Sequence, residues 1–279
     1  MTGGGGGIGR AHALLLSALG AQVVVNDVGA AADVVAEIEA AGGKAVANGD
    51  DVSSWDGAKR LVDTAVESFG RLDVLVNNAG ILRDRMLTTL SEQEFDDVVR
   101  VNLKGHVAPM RWAAAYWREE AKAGRPLAAR VVNTSSGSGL WGNAGQANYA
   151  AAKSGVAAVT LVAARELERY GVKVNAIAPA ARTRLTEGVP VVSEAMAAPD
   201  DPAAFDVFDP ANVSPFVAFL GSEACQFSGH VFGVIGGKVA RYDGFTEAEA
   251  VDVGRRWELD EIAAAVASWT TAIPEIPEP

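Results

Sequence analysis

Only one of the 279 residues, Cys225, is a cysteine, so the chain can form no internal disulfide and no metal site built on several thiolates. A single thiol suits a reducing compartment, and its plainest role is that of a small buried apolar side chain. Basic residues are scarce too: 24 Lys and Arg stand against 35 Asp and Glu, a net charge of −11. So acidic a surface repels phosphate backbones, which argues against nucleic acid as a partner and obliges any anionic substrate to find a local basic cluster. Nor does any apolar run reach the roughly 18 residues of a membrane span. The segment AHALLLSALGAQVVV imitates a secretory leader, but it has no basic start and runs straight into another apolar block. No membrane association and a cytoplasmic location are the expectations.

Glycine, by contrast, is plentiful at 30 residues, and five of them stand in a row from Gly3 to Gly7. Downstream, helical and strand patterns alternate. RAHALLLSALG, AADVVAEIEAAGG and SWDGAKRLVDTAVESFG read as helices, and AQVVVND, KAVANGD and LDVLVNNAG as the strands between and after them. A long amphipathic helix follows through SEQEFDDVVRVNLKGHVAPMRWAAAYWREEAKAG. Next come a strand in AARVVNTSS, a helix in ANYAAAKSGVAAVTLVAARELERYG, and strands in VKVNAIAP and GHVFGVIGG. Strands alternating with helices imply a parallel, doubly wound sheet covered on both faces, a three-layer α/β/α fold of Rossmann type. The length suits one domain, residues 1–279. Within it, residues 188–215 break the rhythm with five prolines and read as a long loop, a candidate substrate loop. Residues 241–279 read as a helical extension, with helices in TEAEAVDVGRRW and LDEIAAAVASW.

A glycine turn between a strand and a helix lets the backbone approach a pyrophosphate, which sits on the amides at the helix N-terminus. This run fits several spacings at once: Gly4, Gly6 and Gly9; Gly3, Gly6 and Gly9; or Gly3, Gly7 and Gly9. Spacing alone leaves the choice open. Asp27 adds weight, because it ends a strand 18 residues past Gly9, near where a carboxylate meets adenosine ribose hydroxyls. A carboxylate there repels the extra phosphate of NADP, and no Lys or Arg stands within the turn, which points to NAD.

Tyr149 and Lys153 are four residues apart on a helix and so share a face. A tyrosine with pKa about 10 is a poor base at neutral pH. A nearby ammonium favours the phenolate, lowers that pKa, and makes the phenol a proton donor and acceptor. The pair lies 13 residues after Ser136, in NTSSGSGLWGNAGQANYAAAK, and beyond a strand ending in NNAG.

Taken together, these motifs resemble the short-chain dehydrogenases/reductases over nearly the whole chain. The resemblance selects T-G-x-x-x-G-x-G, carried by Thr2, Gly3, Gly7 and Gly9, with Ile8 inside the turn. It implies that Asp51 and Val52 flank the adenine, that Asn77, Ala79 and Gly80 line the cofactor channel, and that the catalytic positions are Asn102, Ser136, Tyr149 and Lys153. It further implies that Tyr149 and Lys153 also touch the cofactor, and that Asn102 anchors a water relaying protons from Lys153. Ser136 would hold the substrate oxygen; no metal is required. Narrower stretches, VVVNDVG, GGKAVAN, NNAGILRDRML and GLWGNAGQANYAAAK among them, resemble the (3R)-hydroxyacyl-CoA dehydrogenase domain of multifunctional enzyme type 2. Related 17β-hydroxysteroid and actinobacterial steroid side-chain enzymes look similar.

The expected function is therefore NAD-dependent interconversion of a secondary alcohol and a ketone, most simply on a 3-hydroxyacyl-CoA. The alternatives are a hydroxysteroid or steroid-side-chain-CoA substrate, a catalytically idle NAD-binding sensor or partner subunit, and an epimerase or dehydratase. Candidate phosphate ligands for CoA are Arg83 and Arg85, or Arg182 and Arg184. The resemblance also implies a homodimer or homotetramer built on the two long helices, around residues 91–123 and 147–170. Two departures stand out. Pro179 is followed by Ala180 where the family has glycine, leaving Thr183, with Thr186 as rival, to hold the nicotinamide amide. And the first, central strand has only Met1 ahead of Thr2, so the expectation is a chain whose natural start lies upstream. The sheet should then show a gap between the strand ending at Asp27 and the one ending in NNAG.

Overall fold

A computed structural model describes residues 1–183, 194, 196–201, 203–244 and 248–269. The described chain divides into two compact units, Met1–Tyr242 and Asp243–Pro279.

In the first unit, α1 (Gly7–Ala18), β1 (Gln22–Asn26), α2 (Ala31–Ala40) and β2 (Lys44–Asn48) follow the glycine run. Then come α3 (Trp55–Phe69), β3 (Val74–Asn77), α4 (Glu92–Val99), a π-helical turn (Arg100–Lys104) and α5 (Gly105–Lys122). After β4 (Arg130–Thr134) come α6 (Gly137–Trp141), α7 (Ala147–Leu167) and β5 (Lys173–Ala180). The unit closes with α8 (Ser214–Gly221), β6 (Val231–Ile235) and β7 (Lys238–Tyr242). The single long helix expected over 91–124 is thus two helices joined by a wider turn, which places Asn102 at the break.

Strands β3 to β6 run parallel in sequence order, and β7 returns antiparallel to β6 through the turn at Gly236 and Gly237. That last hairpin strand, KVARY, follows the strand read in GHVFGVIGG and is not expected from the sequence. Strands β1 and β2 pair parallel in a separate ladder. The expected gap lies between β1 and β3, and only the first residues span it. The Thr2 amide donates to the Val76 carbonyl at 3.0 Å, the Asn26 amide to Met1 at 2.9 Å, and the Gly4 amide to Asn26 at 2.9 Å. The Met1 ammonium is buried and donates to the Val24 carbonyl, and desolvation lowers its pKa to about 5.

Because strand side chains alternate, each central strand feeds both faces. Val76, Val132 and Ile177 pack with Ala13 of α1, Val34 and Ile38 of α2, and Val217 and Leu220 of α8. Leu75, Val131 and Val174 pack on the other face with Val62 of α3, Trp117 of α5 and Leu167 of α7. This is the three-layer parallel fold read from the sequence. It gathers the loops after the strands at one end of the sheet, where α/β proteins place their ligands.

In the second unit α9 spans Leu259–Ala265 and opens with a capping box between Glu258 and Glu261. The helix expected in TEAEAVDVGRRW is not formed in its described part, residues 248–257. Of the proline-rich stretch 188–215, residues 188–193, 195 and 202 lie outside the described residues. Its end forms a 3₁₀ turn, Pro210–Val213, that leads into α8. No helix among the described residues is long and apolar enough to cross a membrane.

Candidate active site

The glycine turn is shaped by what its residues lack. Gly3 and Gly7 adopt φ of 61° and 49°, a region that penalises any side chain. A Cβ on Gly9 would lie 2.0 Å from the Gly3 carbonyl oxygen, so the helix can close on the turn only if that residue is glycine. Of the three spacings open in the sequence, the one using Gly3, Gly7 and Gly9 is therefore the one with backbone reasons at every position. Gly4 and Gly5 sit close against Val25 and the Asp27 carboxylate. Ile8 packs against the core face shared by α1 and α2.

Asp27 follows β1 and is held by backbone amides. Its Oδ2 accepts from Gly5 at 3.1 Å, and its Oδ1 accepts from Gly29 at 2.9 Å. Its carboxylate is thereby fixed beside the glycine turn. Thr183 stands over the same turn: its Cγ2 is 3.3 Å from where a Gly7 Cβ would be. Pro179 and Ala180 end β5 just before it. Thr186 and Arg184 lie outside the described residues. Beyond β2, Asp51 caps its own turn by accepting from Ser53 at 2.8 Å and pairs with Arg100 at 3.1 Å. Val52 is buried with Val24, Leu61 and Ala65.

The NNAG segment divides its labour differently from the sequence expectation. Asn77 does not face a channel. It is fully buried and donates to Asn133 Oδ1 at 2.9 Å and to the His106 carbonyl at 3.3 Å, tying β3 to β4 and α5. Its place at the turn is taken by Asn78, which donates to the Gly3 carbonyl at 3.1 Å. The Thr2 hydroxyl accepts from the amides of Asn78 and Ala79, at 2.9 and 3.1 Å. Thr2 is buried, so its hydroxyl serves as a clamp between turn and strand. Gly80 is required where it stands, since a Cβ there would be 2.5 Å from Asn102 Oδ1 and 3.7 Å from Lys153 Nζ.

Asn102, in the π turn, is also buried. Its amide donates to the carbonyls of Ile81 at 2.9 Å and Val98 at 3.0 Å and accepts from the Ile81 amide at 3.3 Å. The side chain is thus committed to holding the loop after Gly80.

Ser136 and Tyr149 meet where β4 ends and α7 begins. Burial pushes the Tyr149 phenol above its ordinary pKa; the Ser136 hydroxyl pulls it down, and the charge of Asp84 pushes it up again. The expectation that Lys153 lowers this pKa is not met, for a physical reason. Lys153 is itself buried, and desolvation brings its amine down to about 7. Nζ lies 5.6 Å from the phenol ring centroid, but donates to the Thr134 carbonyl at 2.7 Å. Gly139 packs directly on the Lys153 backbone and locks α6 against α7.

Two further residues border the site. Gln146, one turn before Tyr149, donates to Asp84 Oδ2 at 2.8 Å and accepts from Ser138 at 2.7 Å. The loop carrying Asp84 is pinned to the same stretch by the Arg85 amide on the Gly145 carbonyl at 2.8 Å. Their places three residues before Tyr149 and four after Gly80 were the available signals. Both are ordinary polar residues until the loop folds back.

A family model described as short chain dehydrogenase matches residues 1–191. The chain is 47% identical over 278 residues to the hydroxyacyl-CoA dehydrogenase ChsB1 of Mycobacterium tuberculosis, covering 95% of this chain and 86% of that protein. It is 41% identical over 252 residues to the peroxisomal multifunctional enzyme type 2 of Mus musculus, across 86% of this chain but 32% of that longer protein. A short chain dehydrogenase from Mycobacterium avium has a crystal structure that superposes with a TM-score of 0.86 at 52% identity, covering 95% of this chain and 91% of that one. With its clamped glycine turn and its Ser136, Tyr149 and Lys153 cluster, the chain belongs to the short-chain dehydrogenases, oxidoreductases that use NAD(P) and act on CH–OH groups.

Proposed function

We propose that this chain oxidises the secondary hydroxyl of a 3-hydroxyacyl-CoA to a ketone, with NAD as acceptor. The observation that carries the proposal is the placement of Ser136, Tyr149 and Lys153 at the strand ends that also hold the glycine turn and Asp27. The residues fit a dinucleotide. A Cβ would collide at Gly5 and Gly9, and Gly7 holds a positive φ of 49°, which leaves bare backbone at the N-terminus of α1 for the pyrophosphate. Asp27 offers the ribose a carboxylate and offers a 2′-phosphate repulsion, which favours NAD over NADP. Thr183 stands beside Gly7 to meet the nicotinamide end. Held by these residues, NAD would supply the hydride-acceptor chemistry that conversion of an alcohol to a ketone requires.

This chain's own residues handle the proton. Ser136 holds the substrate oxygen, and Tyr149 exchanges a proton with it. With its pKa raised, Tyr149 stands as the phenol at neutral pH, suited to donate to a ketone. Alcohol oxidation, which needs the phenolate, should therefore speed up with rising pH, while ketone reduction should slow. Lys153 is close enough to take part in the exchange, and its amine near pKa 7 titrates where it is useful.

The CoA thioester is supported by the hydroxyacyl-CoA dehydrogenases among the relatives named above, and its phosphates call for one of the candidate arginines. Of the candidates, Arg85 is paired with Glu94 at 2.9 Å and Arg182 with Asp206 at 2.5 Å. Arg83 makes no ion pair among the described residues, and its carbonyl accepts from Asn148, next to Tyr149, at 2.9 Å. It is the guanidinium we assign to a CoA phosphate. Following NADH absorbance with 3-hydroxyacyl-CoA and hydroxysteroid alcohols tests the proposal. Turnover of the thioester alone supports it, and turnover of the steroid alone replaces the substrate. We further propose a homo-oligomer. Much of the stripe AAAYW is spent internally on Ala113 and Trp117, but Leu161 and Val162 of α7 remain 40% and 50% exposed. A monomer in sedimentation at micromolar concentration contradicts this.

A further inference from the structure

Ser136 is preceded by a second serine. Ser135 follows β4, and its amide continues the pairing with β5 by donating to the Ile177 carbonyl at 2.7 Å. Its side chain is buried, and its hydroxyl donates to the main-chain carbonyl of Lys153 at 2.8 Å. Thr134, just before it, accepts the Lys153 amine at 2.7 Å. Consecutive residues at the end of one strand thus hold the same lysine twice, by its amine and by its backbone.

Two residues earlier, on the same face of the strand, Asn133 grips α7 further along. Its Nδ2 donates to Thr160 Oγ1 at 2.9 Å, and the Thr160 hydroxyl donates to the Val156 carbonyl at 2.8 Å. Asn77 of β3 anchors Asn133 from the other side at 2.9 Å. Lys153 and Thr160 are seven residues apart, close to two turns, so they lie on one side of the helix. The helix carrying Tyr149 and Lys153 is therefore tied to β4 at two buried points at different heights. One such contact would leave the helix free to slide or roll, and two fix both motions. The apolar contacts of α7, through Ala163, Ala164 and Leu167, are non-directional and set its depth rather than its register.

We propose that Ser135 is a positioning residue: by holding the Lys153 carbonyl it fixes the register of α7 on β4, and with it where Tyr149 and Lys153 stand relative to Ser136. The proposal deepens the oxidoreductase reading and rests on it for its kinetic consequences. The hydroxyl proton of Ser135 is spent on Lys153, which separates the roles of two serines that stand side by side in the sequence. Thr160 holds the far point of the same helix face, two turns from the lysine, and so bears on stability more than on the reacting groups.

The experiment combines kinetics, denaturant unfolding and NMR of ¹³C-labelled lysine side chains on the full chain. The Lys153 Cε signal, assigned by its loss in Lys153→Met, reports where the amine titrates. Ser135→Ala should lower kcat by on the order of 10-fold to 100-fold, the scale of a small misplacement in a reacting site. It should also move the Lys153 titration upward, because a loosened amine regains water. Ser135→Thr keeps the hydroxyl and should bring both back toward wild type. Thr160→Val is the control for a merely structural role: it should unfold at lower denaturant, with kcat within a few-fold of wild type and the Lys153 titration unmoved. No loss of kcat in Ser135→Ala, or a loss no larger than in Thr160→Val, would overturn the proposal. So would an unchanged Lys153 titration in Ser135→Ala, a reading that needs no turnover. If the alanine variant does not fold, Ser135→Cys takes its place, with a weaker donor, and the same outcomes decide. Wild-type chain without activity on any 3-hydroxyacyl-CoA would defeat the proposed function instead, and the titration would still decide whether Ser135 sets the place of the amine.

Discussion

The glycine turn and the Tyr149 cluster lie at the same end of the sheet, yet they are built by opposite means. The turn consists of backbone and missing side chains: two glycines at positive φ, a third pressed on a carbonyl, and a buried threonine clamping it to β3. The cluster consists of side chains whose proton affinities burial has moved, the phenol up and the amine down. In the proposed reaction one region would bind by shape and the other react by charge. Damage to each should therefore be visible in a different measurement.

The largest separation should come from Tyr149→Phe, which keeps the ring and removes the proton. Turnover should fall about 10²- to 10⁴-fold, the usual worth of a positioned acid–base group, while the calorimetric Kd for NAD stays within a few-fold. An equal loss in both would mean that the two regions are not distinct. Gly9→Ala should do the reverse. Its new Cβ meets the Gly3 carbonyl, so overpacking should cost about 1–3 kcal/mol in denaturant unfolding and weaken NAD binding. Gly49→Ala, where nothing lies within 4 Å, is the matched control and should change neither.

How much of this contrast is legible in the sequence follows from the same distinction. Tyr149, Lys153 and Ser136 announce themselves, because reactive side chains at fixed helical spacing are rare combinations. The order of strands and helices is legible too, since long apolar periodicities survive tertiary folding. The glycine run is not resolved by spacing alone, because five glycines satisfy every template and only the contacts at Gly3, Gly7 and Gly9 tell them apart. Asn77 and Asn78 are adjacent and identical in type. Only the strand's alternation sends the first into the core and the second to the turn. The direction of the Tyr149 shift depends first on how deeply the phenol itself is buried, which no pattern of residues encodes. The antiparallel β7 hides because Lys238–Tyr242 carries Lys and Arg among Val, Ala and Tyr and lies beyond the glycines that end the strand read in GHVFGVIGG.

Smaller effects sharpen the comparison within each region. Asp27→Ala removes a carboxylate placed for charge-assisted hydrogen bonds of about 1.5–3 kcal/mol. The ratio of kcat/KM for NAD to that for NADP should fall about tenfold or more, with kcat on NAD little changed. An unchanged ratio would remove Asp27 from the cofactor site. Lys153 supplies the subtlest signal. Its folded pKa of about 7 lies below the 10.5 of an ordinary lysine, so between those values the unfolded chain holds a proton the folded chain has lost. Stability should therefore rise with pH across that window, by up to about 1.4 kcal/mol per unit, and the penalty should be constant below pH 7. Lys153→Met should flatten that slope in urea titrations at pH 7 to 9. A slope identical to wild type would mean that the amine is not desolvated.

Hydride transfer itself gives the most direct test. A 3-hydroxyacyl-CoA carrying deuterium on the carbinol carbon, incubated with NAD and the intact chain, should yield the 3-ketoacyl-CoA and NADH labelled on the nicotinamide ring in equal amounts. The label should be absent from the products of Tyr149→Phe over the same interval. Ketone formed with unlabelled NADH, or no labelled NADH from either enantiomer of the substrate, would contradict the account.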